Sequence, residues 1–345
     1  MDFLASGALN LDLIFQVKDM ALLGLDNRFQ PGRELVLSMD AGNDFLKLLE
    51  KKAALLGKTG GGSAANTLSA LAAFGYSCGF IGQVGNDEEG DIILKEMEGI
   101  DCSLVKRKGQ SSKCIIVMDE KSRDRFMAVV PGDFDAQIPP ALKEAAKELT
   151  CFHFSSIAHK KGPDFQKNIL NCLPDSCLVS FDPGEVYAEL GFKPLRNLFA
   201  KTHILFITNH EFKNIWPDSE EKSSLTHLNP TLPDSFIMQQ PFFETPLPIM
   251  IQKVGKSGVK IFAKETDLHF PVKRLVHPVD NTGAGDALDA GVLHGILAGL
   301  SLSDAINCAM ELAAFSMNYS GKSWIKKLNE MKQDVKADCN FTQAQ

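Results

Sequence analysis

The 345-residue chain contains no uninterrupted apolar run near the ~18 residues that a membrane-spanning helix requires. A spanning segment is therefore not expected. Its start, Met1-Asp2-Phe3-Leu4, is acidic where a secretory leader would be basic, and the next apolar stretch already holds Asn10 and Asp12. Basic residues are the minority, 36 against 43 acidic, which leaves a net charge of −7. That sign disfavours nucleic acid and anionic lipid as partners, so any anionic ligand needs a local site. The eight cysteines include no CxxC pair, and no histidine pair at ligand spacing lies near them. Several sit in strand-like apolar surroundings such as Lys113-Cys114-Ile115-Ile116-Val117, so the expectation is eight free thiols in a reducing, cytoplasmic setting. Internal repeats and low-complexity tracts are also missing.

What is present describes a large folded body. Hydrophobic types make up 44% and charged types 23%, with 27 Gly and 16 Pro, values of a soluble globular chain. The length suggests one α/β body with an appendage. The stretch Leu11 to Val17 alternates like a strand. Phe45 to Leu56 has helical spacing and stops at Gly57, and a second helix opens at Ser63 and closes at Gly75. Segments 113–118 and 125–130, separated by a charged loop, read as a hairpin. From residue 150, short apolar runs at 151–155, 178–182, 203–208 and 249–254 alternate with helical segments, the pattern of βαβ units around a parallel sheet. Helices are expected at 285–299, 302–318 and 323–335. The proline-dense stretch between Trp216 and Pro248 reads as a long surface excursion.

The glycine motifs first exclude two nucleotide folds. GK[ST] occurs at Gly57, Gly255 and Gly321, but a Walker A loop needs a further glycine where Lys52, Met250 and Ser316 stand. No GxGxxG follows an early strand, so a dinucleotide fold has no support. Asp280-Asn281-Thr282-Gly283-Ala284-Gly285-Asp286 is different. It leads straight into a helix, whose unpaired N–H groups and positive dipole end make an anion hole of residues 283–285. Asp286 could take a proton from an attacking hydroxyl there, or could be a plain helix-start carboxylate. A second cluster, Gly60-Gly61-Gly62-Ser63-Ala64-Ala65-Asn66, is either a capped helix start or a recognition site in which Asn66 donates to and accepts from a diol.

Taken together and in order, these motifs resemble the ribokinase-like (PfkB) carbohydrate kinase family. Gly61-Gly62-Ser63-Ala64-Ala65-Asn66 followed by Gly82-Gln83-Val84-Gly85-Asn86-Asp87-Glu88-Glu89-Gly90 is similar to the N-terminal signature. Asp280 to Asp286 is similar to the C-terminal one, with Asn281 in place of a Thr. Gly7 to Asp12 and Lys253 to Gly258 add two weaker matches. The resemblance implies a three-layer α/β/α fold with a mostly parallel central sheet and a small β lid. It implies a single domain over 1–335, a lid from about 13–58 and 111–131, and a flexible tail over 336–345.

By the same resemblance, Asp286 is the base, and Gly283, Ala284 and Gly285 form the anion hole. Asp12, Gly61, Gly62 and Asn66 hold acceptor hydroxyls, while Lys253, Gly255, Gly258 and Asn209 meet the nucleotide. ATP and Mg²⁺ are the implied cofactors, with Glu211 as an indirect Mg²⁺ contact displaced by one residue from the family's Asn-x-x-Glu. Asp280 and Thr282 would neighbour a monovalent cation such as K⁺. The implied activity is phosphoryl transfer to a primary hydroxyl of a sugar or nucleoside, with an adenosine-kinase-type acceptor as one alternative and a non-catalytic sugar- or nucleotide-binding regulator as another. A homodimer through the lid is the implied partner. Phe15, Phe29, Phe126 and Phe134 are expected to pack rather than stack on a base, and His153 to be an interior histidine.

Overall fold

Runs of apolar residues with no polar alternation become strands buried on both faces. The computed structural model describes residues 1–122, 124–231, 247–272, 278–331, 339 and 341. Its strands are β1 (Phe3–Ser6), β2 (Asn10–Val17), β3 (Glu34–Val36), β4 (Ala54–Gly61), β5 (Cys78–Val84), β6 (Ile100–Arg107), β7 (Ser112–Asp119), β8 (Arg125–Val130), β9 (Cys151–Ser155), β10 (Leu178–Asp182), β11 (Ile204–Thr208), β12 (Ile249–Lys253), β13 (Val259–Ala263) and β14 (Thr266–Phe270).

Nine of them form one sheet in the order β14-β13-β12-β11-β10-β9-β1-β5-β6. Every pair from β12 to β6 is parallel, and the two pairs at the β14 edge are antiparallel. Side chains alternate between two cores: Phe3, Ala5, Ile204 and Phe206 enter one, and Leu4, Leu205 and Ile207 the other. That alternation is what helices on both faces of a parallel sheet demand. The fold is therefore the ribokinase-like α/β arrangement that the motifs implied. His153 is interior as expected, with its Nδ1 3.0 Å from the Ser180 hydroxyl.

The other five strands form a second sheet, β3-β8-β7-β2-β4. β7 and β8 are the expected hairpin. Phe29, Phe45 and Phe126 pack together beside this sheet with centroids 5.2–5.9 Å apart, and Phe15 is buried.

Several expectations are corrected. The helix over Phe45 to Leu56 is really Met39–Lys52, capped by the Ser38 hydroxyl, and the chain then turns into β4. Leu55 and Leu56 continued the helical spacing, but they belong to an exposed edge strand that pairs with β2 through a register shift. The eight cysteines are not all free: Cys308 and Cys339 form a disulfide, while the other six are thiols. Their separation of 31 residues carries no pairing signal, because only a tertiary contact brings the two sulfurs together. Within the segment expected to be a loose tail, Cys339 is bonded and Phe341 is buried to 1% exposure. Of the proline-dense excursion, 232–246 lies outside the described residues, as does the end of the helix expected at 323–335, found here as Ser323–Glu330.

Candidate active site

The carboxyl ends of parallel strands are where an open α/β sheet gathers ligand-facing residues. Asp182, Thr208 and Lys253 are the last residues of the adjacent strands β10, β11 and β12. They line a cavity of about 760 Å³ that opens between the large sheet, the small sheet and the start of the helix Ala284–Leu297. Gly283 precedes that helix at φ +79°, a left-handed turn that suits glycine, and the N–H-rich first turn faces the cavity.

Asp286 stands in this first turn and is gripped from across the cavity. Ser63 Oγ donates to its Oδ1 and Asn66 Nδ2 to its Oδ2, both at 2.7 Å. Burial raises its pKa, and these two hydrogen bonds oppose the rise without cancelling it. The remaining oxygen of the Asn66 amide has no partner among the described residues, nor does Asn10 Oδ1; both residues line the cavity. Two buried acceptors without donors are places for hydroxyl groups of a ligand.

Asp12, on β2, also lines the cavity. Burial pushes its pKa to about 7 against the pull of Lys322, with Asp286 and Glu96 adding to the rise. Gly61 is bare for a reason: a Cβ there would lie 2.1 Å from Asp12 Oδ1. Gly62, at φ +122°, lets the Ala8 carbonyl approach closely: a Cβ there would lie 2.0 Å from its oxygen.

At the far end, Lys253 Nζ is 2.8 Å from Asp182 Oδ2 and 3.3 Å from Asp289 Oδ1, in a nearly dry cluster. Burial disfavours the ammonium, yet Asp182, Asp289 and Glu211 outweigh it and hold the lysine charged. Burial is the largest single influence on Asp182 and opposes its ionisation, but Lys253 and the hydrogen bond from Asp289 together lower its pKa, whereas burial keeps that of Asp289 well raised. Glu211 caps its own helix: its Oε2 accepts from the Thr208 N–H at 2.7 Å, and Thr208 Oγ1 accepts from the Glu211 N–H. Burial, then the Asp182 charge, pushes Glu211 to about 7.

The cavity thus brings together Asp12, Gly62, Asn66, Lys253, Gly255, Gly258, Glu211 and Thr282 through Asp286. It does not bring in Asn209, which is exposed at the start of its helix, nor Gly61, which lies behind Asp12 rather than on the cavity wall. Asp280 spends both carboxylate oxygens on the backbone N–H groups of Thr282 and Gly321, so it ties the loop and lines only a smaller pocket beside Asp12. Asn281, the departure from the C-terminal signature, receives a hydrogen bond from Arg125 Nη1 on β8, linking the small sheet to the loop before the helix Ala284–Leu297. Sequence reasoning missed Ser63 as a partner of Asp286, Arg125, and the acids Asp182 and Asp289. Asp182 had a signal, a carboxylate closing the otherwise apolar strand Leu178–Asp182; Asp289 lies three residues beyond Asp286, one helical turn on.

An oxygen- and N–H-lined cleft with a clamped carboxylate at a helix N-terminus, on this fold, defines a phosphotransferase acting on hydroxyl groups. The chain belongs to the pfkB family of carbohydrate kinases, whose pattern matches residues 41–325. A sugar kinase of uncharacterised specificity from Archaeoglobus fulgidus is 30% identical over 239 residues, 68% of this chain and 88% of that one. Among solved structures, an adenosine kinase from Sinorhizobium meliloti superposes with a TM-score of 0.75 at 17% identity, over 93% of this chain and 95% of its own. Ribokinase from Arabidopsis thaliana, complexed with ribose and ATP, gives 0.68 at 15% identity over 96% and 99%. The protein is accordingly a sugar or nucleoside kinase. Among the described residues no helix is long and apolar enough to cross a membrane.

Proposed function

We propose that the protein moves the γ-phosphoryl group of ATP to a primary hydroxyl of a sugar or nucleoside, with Asp286 as general base. The observation that carries this reading is the double clamp on Asp286 by Ser63 and Asn66 at the mouth of the helix Ala284–Leu297. The clamp aims the carboxylate, and the backbone at 283–285 supplies donors where charge develops on the moving group. Asp12, Asn10 and Asn66 hold the acceptor's other hydroxyls, while Gly61 leaves room for Asp12 and Gly62 lets the acceptor approach the backbone. Gly255 and Gly258 face the nucleotide, and Lys253 neutralises the Asp182 carboxylate at the floor of that region.

Asp182, Glu185 and Glu211 line one wall; the first two spend both oxygens on Lys253, Arg33 and backbone N–H groups, whereas Glu211 spends only Oε2, so Mg²⁺ held through water would sit beside Glu211 and neutralise phosphate charge. Asp280, with both oxygens committed, gives a monovalent cation only backbone or Thr282 oxygens. The small sheet acts as a lid in this reading. Its edge strand β4 exposes Leu55 and Leu56 at 48% and 55%, a surface suited to a second copy in a cytoplasmic homodimer.

Replacing Asp286 by Asn tests the base. ADP release should fall by ~10²–10⁴-fold while acceptor affinity changes little, because the lost interaction works mainly in the transition state. Undiminished turnover would exclude Asp286 as base. A thermal-shift panel of sugars and nucleosides with a non-hydrolysable ATP analogue would identify the acceptor, since a ligand that binds only the folded state raises its melting temperature.

A further inference from the structure

Remote from the reacting groups, three side chains from three segments converge: His294 from the helix Ala284–Leu297, Cys308 from the helix Leu302–Ser316, and Cys339 from the C-terminal segment. One ring nitrogen and the two sulfurs all lie within 4.8 Å of one another. We propose that, once the Cys308–Cys339 disulfide is reduced, these three residues bind a zinc-class divalent cation.

The histidine carries the argument. It is 5% exposed, and its Nε2 has no partner among the described residues. Its ring is held firmly, stacked on Phe74 with centroids 4.1 Å apart and planes 8° from parallel. The Tyr76 hydroxyl lies 3.0 Å from Nδ1 and also donates to the His294 carbonyl at 3.4 Å. Ligation through Nε2 requires the ring proton on Nδ1, where the Tyr76 oxygen at 3.0 Å is placed to accept it. That is the tautomer of a metal-ligating histidine with an outer-shell partner on its other nitrogen. A buried ring nitrogen without a partner is costly, and the disulfide leaves it unused. Two thiolates and one imidazole are a zinc donor set with a fourth position for water.

The exchange balances. A phosphine reductant takes up the oxygen of water and becomes the phosphine oxide as the S–S bond breaks, and water's two protons go to the two sulfurs. Zn²⁺ then displaces both thiol protons, which leave to solvent. In a cell, a dithiol that closes to its own disulfide would serve in place of the phosphine. Either crosslink, S–S or S–Zn–S, fastens the same segment. Phe341, two residues beyond Cys339, meets Phe74 and Phe315 with centroids 6.0–6.1 Å away and forms part of the catalytic cavity wall. The site is independent of the proposed chemistry at Asp286.

The test is a Co²⁺ titration of the full, phosphine-reduced chain under anaerobic conditions. A thiolate-to-cobalt charge-transfer band with intense tetrahedral d–d absorption, saturating at one equivalent and bleached by Zn²⁺, is expected. The oxidised protein should give neither. Cys339→Ser should lose most of the charge-transfer intensity, His294→Gln should bind at least ~10-fold more weakly, and Tyr76→Phe ~10–100-fold more weakly. Cys339 lies outside the sheet core, so its variant decides the question even if His294→Gln fails to fold. No band in the reduced wild type, or a band of unchanged intensity and affinity in Cys339→Ser, would overturn the site.

Discussion

Asn66 Nδ2 donates to Asp286 Oδ2 at 2.7 Å, joining two helix starts separated by 220 residues of chain. This bond favours the ionised carboxylate, against a burial that disfavours it. Asn66→Ala should therefore raise the Asp286 pKa further. A base must be deprotonated to act, so the acid limb of the kcat–pH profile should move to higher pH, with kcat reduced even on the plateau. An acid limb that stays in place would show that another group governs it.

A second relationship concerns charge without water. Lys253 is the counter-ion of Asp182 and lies against Asp289, with side-chain exposures of 13%, 7% and 0%. Removing one partner of such a pair strands a buried charge. Lys253→Met should cost about 3–5 kcal/mol, read as a lower urea midpoint at unchanged m. A loss under 1 kcal/mol would mean that water enters the cluster and screens it.

Gly61, Gly62, Asn66 and residues 283–286 could be picked from sequence because they sit where the chain enters a helix with a local spacing that reveals them, and Asp12 because it is an acid inside a largely apolar strand. The parallel core was legible for a similar reason, since uninterrupted apolar runs such as Ile204 to Ile207 have only a doubly covered strand to occupy. Asp182 and Asp289 were not, because what singles them out is contact with Lys253 from another element, and a tertiary pair of that kind leaves no local trace. Arg125 was hidden for the same reason: its link to Asn281 spans 156 residues. Leu55 and Leu56 misled in the opposite direction, since apolar spacing alone cannot tell an exposed edge strand from one more helical turn.

Asp12 provides a linkage test. Its pKa in the folded protein is about 7 against an ordinary 3.8, so between these values the folded state holds a proton that the unfolded chain has released. Stability from this group is full at acid pH and is lost as pH rises toward 7. Asp12→Asn removes the titration, so its melting temperature should fall less than the wild type's between pH 5 and roughly 7, with the two curves parallel above that. Identical pH dependence in both proteins would show that Asp12 is ionised throughout.

Gly61→Ala separates recognition from folding. The added methyl would lie 2.1–2.3 Å from the Asp12 carboxyl atoms, at the end of a side chain that can rotate away, and Gly61 itself has no left-handed φ to strain. The expected result is a displaced Asp12, a several-fold higher KM for the acceptor, and a melting temperature close to wild type. Gly62→Ala is the contrasting control: its Cβ would meet the Ala8 backbone carbonyl at 2.0 Å from a φ of +122°, so neither side can yield cheaply. That variant should lose stability by ~1–3 kcal/mol from backbone strain alone, before any clash is counted. If Gly61→Ala instead unfolds the protein and leaves KM unchanged in the folded fraction, Asp12 contributes to packing rather than to holding the acceptor.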